Sequence, residues 1–206
     1  MLSKSILGLI VSAIFLSLTI NAQDQRPINI KIEDFPQAYQ NKEPVKIIGL
    51  YLGTTMLQSG EDFQADKDWL RNLRVMVKNV SDQPIREIIF NLDTKTDGPD
   101  GEIKRFHIHY GPSYWFRLGP VTKGAEEPLA PGALATISRN TDDTKAYEWT
   151  RSQLASSRHF QISLDSVVFD DIDKGWYGTT YVMRSEKGWT RDPSKAHLNG
   201  GPPRAN

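Results

Sequence analysis

The pattern of apolar and polar positions predicts a chain built mainly from short β-strands. Alternation with a period of two residues places apolar side chains on one face of a strand. It occurs in five segments: 28–32, 73–77, 85–92, 103–110 and 133–138. Residues 45–52 (VKIIGLYL) are almost continuously apolar, which is typical of a strand buried on much of both faces. The polar stretch 54–67 predicts a loop.

Residues 159–184 (HFQISLDSVVFDDIDKGWYGTTYVMR) predict two strands joined by an acidic turn that contains a glycine. The alternation in the first strand changes phase after Asp165, because residues 167–169 are all apolar. Either that end of the strand is buried on both faces or a β-bulge shifts its register. The return strand, 176–184, would place Trp176, Thr180 and Val182 on one face and Tyr177, Tyr181 and Met183 on the other.

One segment, 144–156, predicts a helix, since Tyr147, Thr150 and Leu154 recur at helical spacing. Seven to nine short strands with turns between them and almost no helix predict an all-β fold. The expected architecture is an antiparallel two-sheet sandwich of the immunoglobulin or fibronectin III type with one short helix. A closed β-barrel is the alternative, because the number of strands does not separate the two folds.

The first 22 residues have the pattern of a secretory signal peptide. Lys4 precedes an apolar run from Ile6 to Ile20, and a small residue, Ala22, marks the expected cleavage site. A transmembrane anchor is the alternative, but spanning a bilayer takes about 20 apolar residues. We therefore expect a secreted or periplasmic protein with no stable membrane anchor after cleavage.

The remaining chain divides into an N-terminal strand and linker (23–44), a β-sandwich domain (45–186) and a flexible C-terminal tail (187–206). The tail is rich in glycine, proline and polar residues. The chain has no cysteine, so the fold cannot depend on disulfides, which suits a bacterial exported protein. Its formal net charge of zero argues against a nucleic-acid partner, because such proteins carry a basic excess.

Two groups of residues are candidate metal ligands. His107 and His109 lie two residues apart on a predicted strand, so their imidazoles share a face and could bind zinc or copper with a third ligand. The alternative is a pair of solvated histidines on a polar face. Asp170, Asp171 and Asp173 could offer oxygens to calcium, or they could keep a hairpin turn soluble.

Tyr114 and Trp115 lie in an aromatic loop and are candidates for a surface that stacks on sugar rings or binds a protein partner. The alternative is that these rings seal one end of the sandwich. No catalytic motif, cofactor-binding motif or cysteine nucleophile occurs in the sequence. We therefore expect no cofactor.

Four segments carry a resemblance to a known family: NVSDQPIREIIFNLD (79–93), the pair Tyr110-Gly111, LAPGALATIS (129–138) and SVVFDDIDKGWYGTTYVMR (166–184). Together they resemble a family of exported bacterial immunoglobulin-like β-sandwich proteins of unknown function. The resemblance implies a sandwich fold and a location outside the cytoplasm. It implies no catalytic residues.

The sequence thus favours an exported, non-enzymatic β-sandwich protein that serves as a binding or structural module of the cell envelope or the extracellular space. The partner would be an unidentified protein or glycan. Two other functions are open. One is a carbohydrate-binding module that uses exposed aromatic residues. The other is a small hydrolase whose pair of acids faces across a cleft.

Overall fold

A computed structural model describes residues 25–33, 43–95, 103–111, 127–138, 144–186 and 188–195, and the predicted signal peptide lies outside them. The described residues form twelve strands: β1 (Arg26–Ile32), β2 (Val45–Leu52), β3 (Thr55–Leu57), β4 (Asp62–Ala65), β5 (Leu73–Asn79), β6 (Ile85–Lys95), β7 (Ile103–Tyr110), β8 (Leu134–Ser138), β9 (His159–Phe169), β10 (Lys174–Tyr177), β11 (Thr180–Ser185) and β12 (Gly188–Arg191). They also form two α-helices, α1 (Trp69–Asn72) and α2 (Thr144–Leu154), and a 3₁₀ turn (Pro193–Lys195). The predicted all-β class is confirmed.

The smaller sheet has four antiparallel strands in the order β3-β2-β5-β8. Its central strand β5 alternates as the sequence predicts, with Leu73, Val75 and Val77 buried and the side chains between them more exposed. A β-bulge in β2 lies between Ile47 and Gly49.

The larger sheet is organised around β9, which is 11 residues long. On one side β9 pairs with β6 along most of its length, and β6 pairs with β7. Its other side is shared by two sets of strands: β1 and β4 extend the sheet beside residues 159–162, and β10, β11 and β12 extend it beside residues 166–168. The sheet therefore branches at β9.

The expectation of purely antiparallel sheets is wrong, because β1 runs parallel to β9. A parallel pair needs a long connection between its strands, and more than 100 residues separate these two. The pairing places Ile30 beside Phe160 and Ile32 beside Ile162, which extends the apolar face of β9 onto β1. Non-local packing thus decides the direction of β1.

The apolar faces of the two sheets meet in one hydrophobic core. Ile88, Phe90 and Leu92 of β6 are fully buried there, as the alternation predicts. Trp69 of α1 packs on Phe160 with ring centroids 4.9 Å apart. Two packed sheets of short strands are therefore present.

Helix α2 confirms the predicted helix, and Tyr147, Thr150 and Leu154 are all buried as expected. Arg26 donates hydrogen bonds to the carbonyls of Leu154 and Ala155, so its cation lies at the helix C-terminus, where the helix dipole favours it. No helix among the described residues is long and apolar enough to cross a membrane.

The return strand predicted at 176–184 is wrong: it is two strands, β10 and β11, joined by a turn at Gly178 and Thr179. Gly178 has φ +60°, which a glycine adopts without strain. The turn brings Trp176 opposite Tyr181, so both side chains are buried on the same face. Their predicted placement on opposite faces is therefore also wrong.

Two further segments form structure where the sequence predicts a loop and a flexible tail. The polar stretch 54–67 contains β3 and β4, which are only 3 and 4 residues long. Residues 188–195, in the predicted tail, form the edge strand β12 and the 3₁₀ turn.

Candidate functional site

The outer face of the larger sheet, which points away from the core, carries a group of polar side chains from four strands. Because Ile88, Phe90 and Leu92 of β6 point inward, the residues between them point outward. We call this group the polar face, and it consists of Asn91, Asp93, Arg105, His107, His109, Ser163, Asp165, Ser166 and Tyr177.

The register of β6 and β7 pairs these residues across the sheet, with Asn91 opposite His107 and Asp93 opposite Arg105. Arg105 donates two hydrogen bonds to Asp93, from Nε to Oδ1 and from Nη2 to Oδ2, each 2.8 Å long. This bidentate geometry fixes both side chains more firmly than a single contact would. The hydrogen bonds from Arg105 to Asp93 raise the pKa of the Arg105 guanidinium, and the nearby Asp165 and Tyr177 add to the rise.

A β-bulge at Asp165 shifts the register of β9. Phe90 lies opposite Leu164 while Ile89 lies opposite Ser166, so Asp165 is the extra residue. Residues 166–169 are also all buried, so the change of phase after Asp165 combines the two expected explanations, a bulge and burial on both faces. Asp165 Oδ1 accepts a hydrogen bond of 3.0 Å from the Asn91 amide, which connects β9 to β6.

Several polar groups of this face are almost completely buried. Asn91 is 5% exposed, Ser163 8% and Ser166 1%. Asn91 Oδ1 and Ser166 Oγ have no hydrogen-bond partner among the described residues. Buried polar atoms in proteins are normally satisfied by protein, water or ligand. Both atoms are enclosed by the protein itself, so the accessible part of the polar face is formed by its more exposed members, such as Arg105 and Tyr177.

His107 and His109 lie on the polar face as the alternation of β7 predicts, since Phe106 and Ile108 are buried on the opposite face. Their rings meet edge to face with centroids 5.7 Å apart. The described residues contain no group of three or more His, Asp or Glu side chains arranged to hold a metal ion. A zinc or copper site at this pair remains a prediction, since the described residues place no third ligand beside the two imidazoles.

The acidic turn between β9 and β10 places two of its carboxylates beside cations. Asp170 lies 2.5 Å from Arg86, and Asp171 lies 2.9 Å from Lys174. The hydrogen bond from Lys174 lowers the pKa of Asp171. Asp171 also accepts a hydrogen bond from the backbone of Asp173, as in a turn stabilised by its own aspartate. Calcium binding here remains a prediction, and calcium would have to compete with both cations.

Tyr114 and Trp115 lie outside the described residues. Sequence reasoning missed Asn91, Asp93, Asp165 and Tyr177. The alternation of β6 carries a signal for Asn91 and Asp93, because it places both opposite the apolar face. The alternation of Phe160, Ile162 and Leu164 carries the same signal for Asp165. The position of Tyr177 beside Ser166 depends on the pairing of β10 with β9, which no single strand specifies.

Comparison with known protein families, with curated proteins and with solved structures finds no match for this chain.

Proposed function

We propose that this protein is an exported, non-enzymatic β-sandwich module that binds a partner of the cell envelope or the extracellular space through its polar face. The observation that carries the proposal is the concentration of polar and charged side chains on one sheet face, where Arg105 and Tyr177 are exposed. Exposed arginine and tyrosine side chains are among those that contribute most to binding at interfaces.

The strand pairing supports an immunoglobulin or fibronectin III type of sandwich. In such folds, strands three positions apart along the chain pair with each other: the second with the fifth in one sheet, and the third with the sixth in the other. Here β5 and β8, which are also three apart, pair in the smaller sheet, and β6 and β9 pair in the larger one. The smaller sheet continues from β5 to β2, and the larger sheet continues from β9 to β10. The proposal includes kinship with the exported family that the sequence resembles.

A glycan is the second candidate for the partner, and Tyr177 favours it. This residue is 56% exposed on the polar face, and an exposed aromatic ring is the kind of side chain that stacks on a sugar. Asp165 and Tyr177 both lie close enough to Arg105 to raise the pKa of its guanidinium. An exposed ring can stack on one face of a sugar, while the charged groups beside it form hydrogen bonds with the hydroxyls of the sugar.

Binding assays with matched variants test the proposal. The mature protein is immobilised and probed with solubilised envelope extract and with a panel of soluble polysaccharides, and each binder is then titrated by calorimetry. We expect Arg105→Ala and Tyr177→Ala each to weaken binding at least about tenfold, since central aromatic and arginine residues dominate most interfaces. The control is Arg74→Ala, which removes an exposed arginine from β5 of the other sheet.

The outcome separates the candidates. If a polysaccharide binds the wild type and neither variant, the partner is a glycan. If a protein from the envelope extract binds the wild type and neither variant, the partner is that protein. Equal binding by wild type, Arg105→Ala and Tyr177→Ala would overturn the assignment to the polar face. Export is checked separately by mass spectrometry of the native protein, which should begin at Gln23.

A further inference from the structure

A pocket of about 340 Å³ lies between α1, α2 and the start of β1, with walls that combine apolar and cationic side chains. Its apolar lining comprises Ala155, which is exposed, and the edges of Trp69, Leu70 and Leu154, each of which is 2% exposed. Arg26, Lys67 and Arg151 bring cations to its rim. Its volume falls within the range of roughly 300–1,000 Å³ typical of sites for small molecules.

Hydrogen bonds between the surrounding elements hold the pocket in shape. Arg26 Nη2 donates a bond of 3.1 Å to the carbonyl of Leu154, and this contact joins β1 to the end of α2. Arg151 Nη1 lies 3.2 Å from Asp68 Oδ1, which joins α2 to the residue before α1. Buried packing of Trp69 against Phe160 anchors α1 to the core. These contacts fix the positions of the three elements that surround the pocket.

The charges around the pocket are not balanced. Its lining carries three cations and one carboxylate, Glu148. Arg151 forms ion pairs with Glu148 at 2.5 Å and with Asp68 at 3.2 Å, which leaves Arg26 and Lys67 as the source of the positive excess. Among the described residues, no carboxylate lies within ion-pair distance of Arg26. Burial, and then repulsion from Arg158, lowers the pKa of the Arg26 guanidinium. An anion placed near Arg26 and Lys67 would thus relieve a local excess of positive charge.

We propose that this pocket binds a small organic anion, a carboxylate with an apolar body. The carboxylate would lie at the cationic rim, and the apolar body would lie against Ala155 and the edges of Trp69, Leu70 and Leu154 that reach the pocket. An inorganic anion would leave the apolar lining uncovered. A neutral hydrocarbon would leave Arg26 and Lys67 without a counter-charge, since neither forms an ion pair among the described residues. The site uses none of the residues of the polar face and stands apart from the proposed function.

Calorimetry with three ligands of equal chain length tests the class of ligand. Decanoate, decanol and decylammonium are titrated into the mature protein below the concentrations at which they aggregate. We expect decanoate to bind at least about tenfold more tightly than decanol, and decylammonium to bind more weakly than either, because only decanoate matches both the charge and the apolar surface. Equal binding of decanoate and decanol, or no binding of decanoate, would overturn the proposal.

Two variants place the ligand in the pocket. Lys67→Glu reverses one rim charge and should weaken decanoate binding about tenfold or more. Lys78→Glu makes the same charge change at an exposed position of β5 and should leave binding within about twofold. Ala155→Phe puts a ring into the pocket without altering its charge and should abolish binding.

Thermal melting first establishes that each variant is folded, and Lys67→Glu carries the test if Ala155→Phe does not fold. Decanoate binding that Lys67→Glu leaves unchanged would place the ligand elsewhere and overturn the proposal. Arg105→Ala distinguishes this site from the polar face, since it should leave decanoate binding intact.

Discussion

Replacing Gly111 with alanine should destabilise the protein severely. Gly111 directly follows β7 and has φ +81°, a conformation that side chains with a Cβ rarely adopt. A Cβ built there would lie 1.8 Å from the carbonyl oxygen of Arg86 and 3.0 Å from its carbonyl carbon. These are backbone atoms at the start of β6, where Arg86 lies between Ile85 and Glu87, which both pair with β9. Moving them would displace the strand, whereas a flexible side chain could turn aside.

Gly132 provides a matched control for the magnitude. It has φ +78°, nearly the same conformation, but a Cβ there would meet no atom within 4 Å. Gly132→Ala should therefore lower the free energy of unfolding by only about 1 kcal/mol, the cost of the unfavourable backbone conformation. Gly111→Ala adds steric overpacking of about 1–3 kcal/mol, so its total cost should reach about 3 kcal/mol.

Urea unfolding of both variants and the wild type, followed by circular dichroism, measures the difference. In a protein of this size each 1 kcal/mol shifts the melting temperature by about 2–4 °C, so thermal melts should rank the variants in the same order. Equal losses in Gly111→Ala and Gly132→Ala would refute the steric reasoning. They would also remove the structural explanation for the Tyr110-Gly111 pair.

Two further changes test other parts of the fold. Asn79→Ala should cost about 3 kcal/mol in urea unfolding, because the buried amide donates to the carbonyls of Gln83 and Leu129 and accepts from Ser81. Ser81→Ala should cost clearly less, and an equal cost would contradict this role of the amide. Burial raises the pKa of Glu43 from 4.5 to about 7, so the folded state holds a proton that the unfolded state releases, and stability should fall as pH rises from about 4.5 to 7. Glu43→Gln should raise the melting temperature at pH 8 more than at pH 5, whereas the exposed control Glu61→Gln should show no such difference.

Local alternation was enough to predict most strands and the helix. The periods of two in β5, β6 and β7 and the helical spacing of Tyr147, Thr150 and Leu154 each reflect one buried face, which a sequence displays directly. The error at 176–184 has a local cause: the residues on both sides of the turn at Gly178 suit strands, so the composition conceals the turn. Strands as short as β3 and β4 carry too few residues for a period to show.

The candidate site was only half predictable, because it depends on contacts between distant segments. The shared face of His107 and His109 follows from β7 alone. The hydrogen bond between Asn91 and Asp165 joins residues 74 positions apart and depends on the register and the bulge between β6 and β9. No pattern within one strand specifies that register, so the polar face emerges only once the sheet is assembled.

Nuclear magnetic resonance shift mapping tests the central claim most directly. The best binder from the envelope extract or the polysaccharide panel is titrated into isotope-labelled mature protein, and changes in backbone amide signals are followed. Our account predicts that the largest changes fall at the residues of the polar face: Asn91, Asp93, Arg105, His107, His109, Ser163, Asp165, Ser166 and Tyr177. Changes concentrated instead around Arg74 and Lys78, on the opposite sheet, would contradict it.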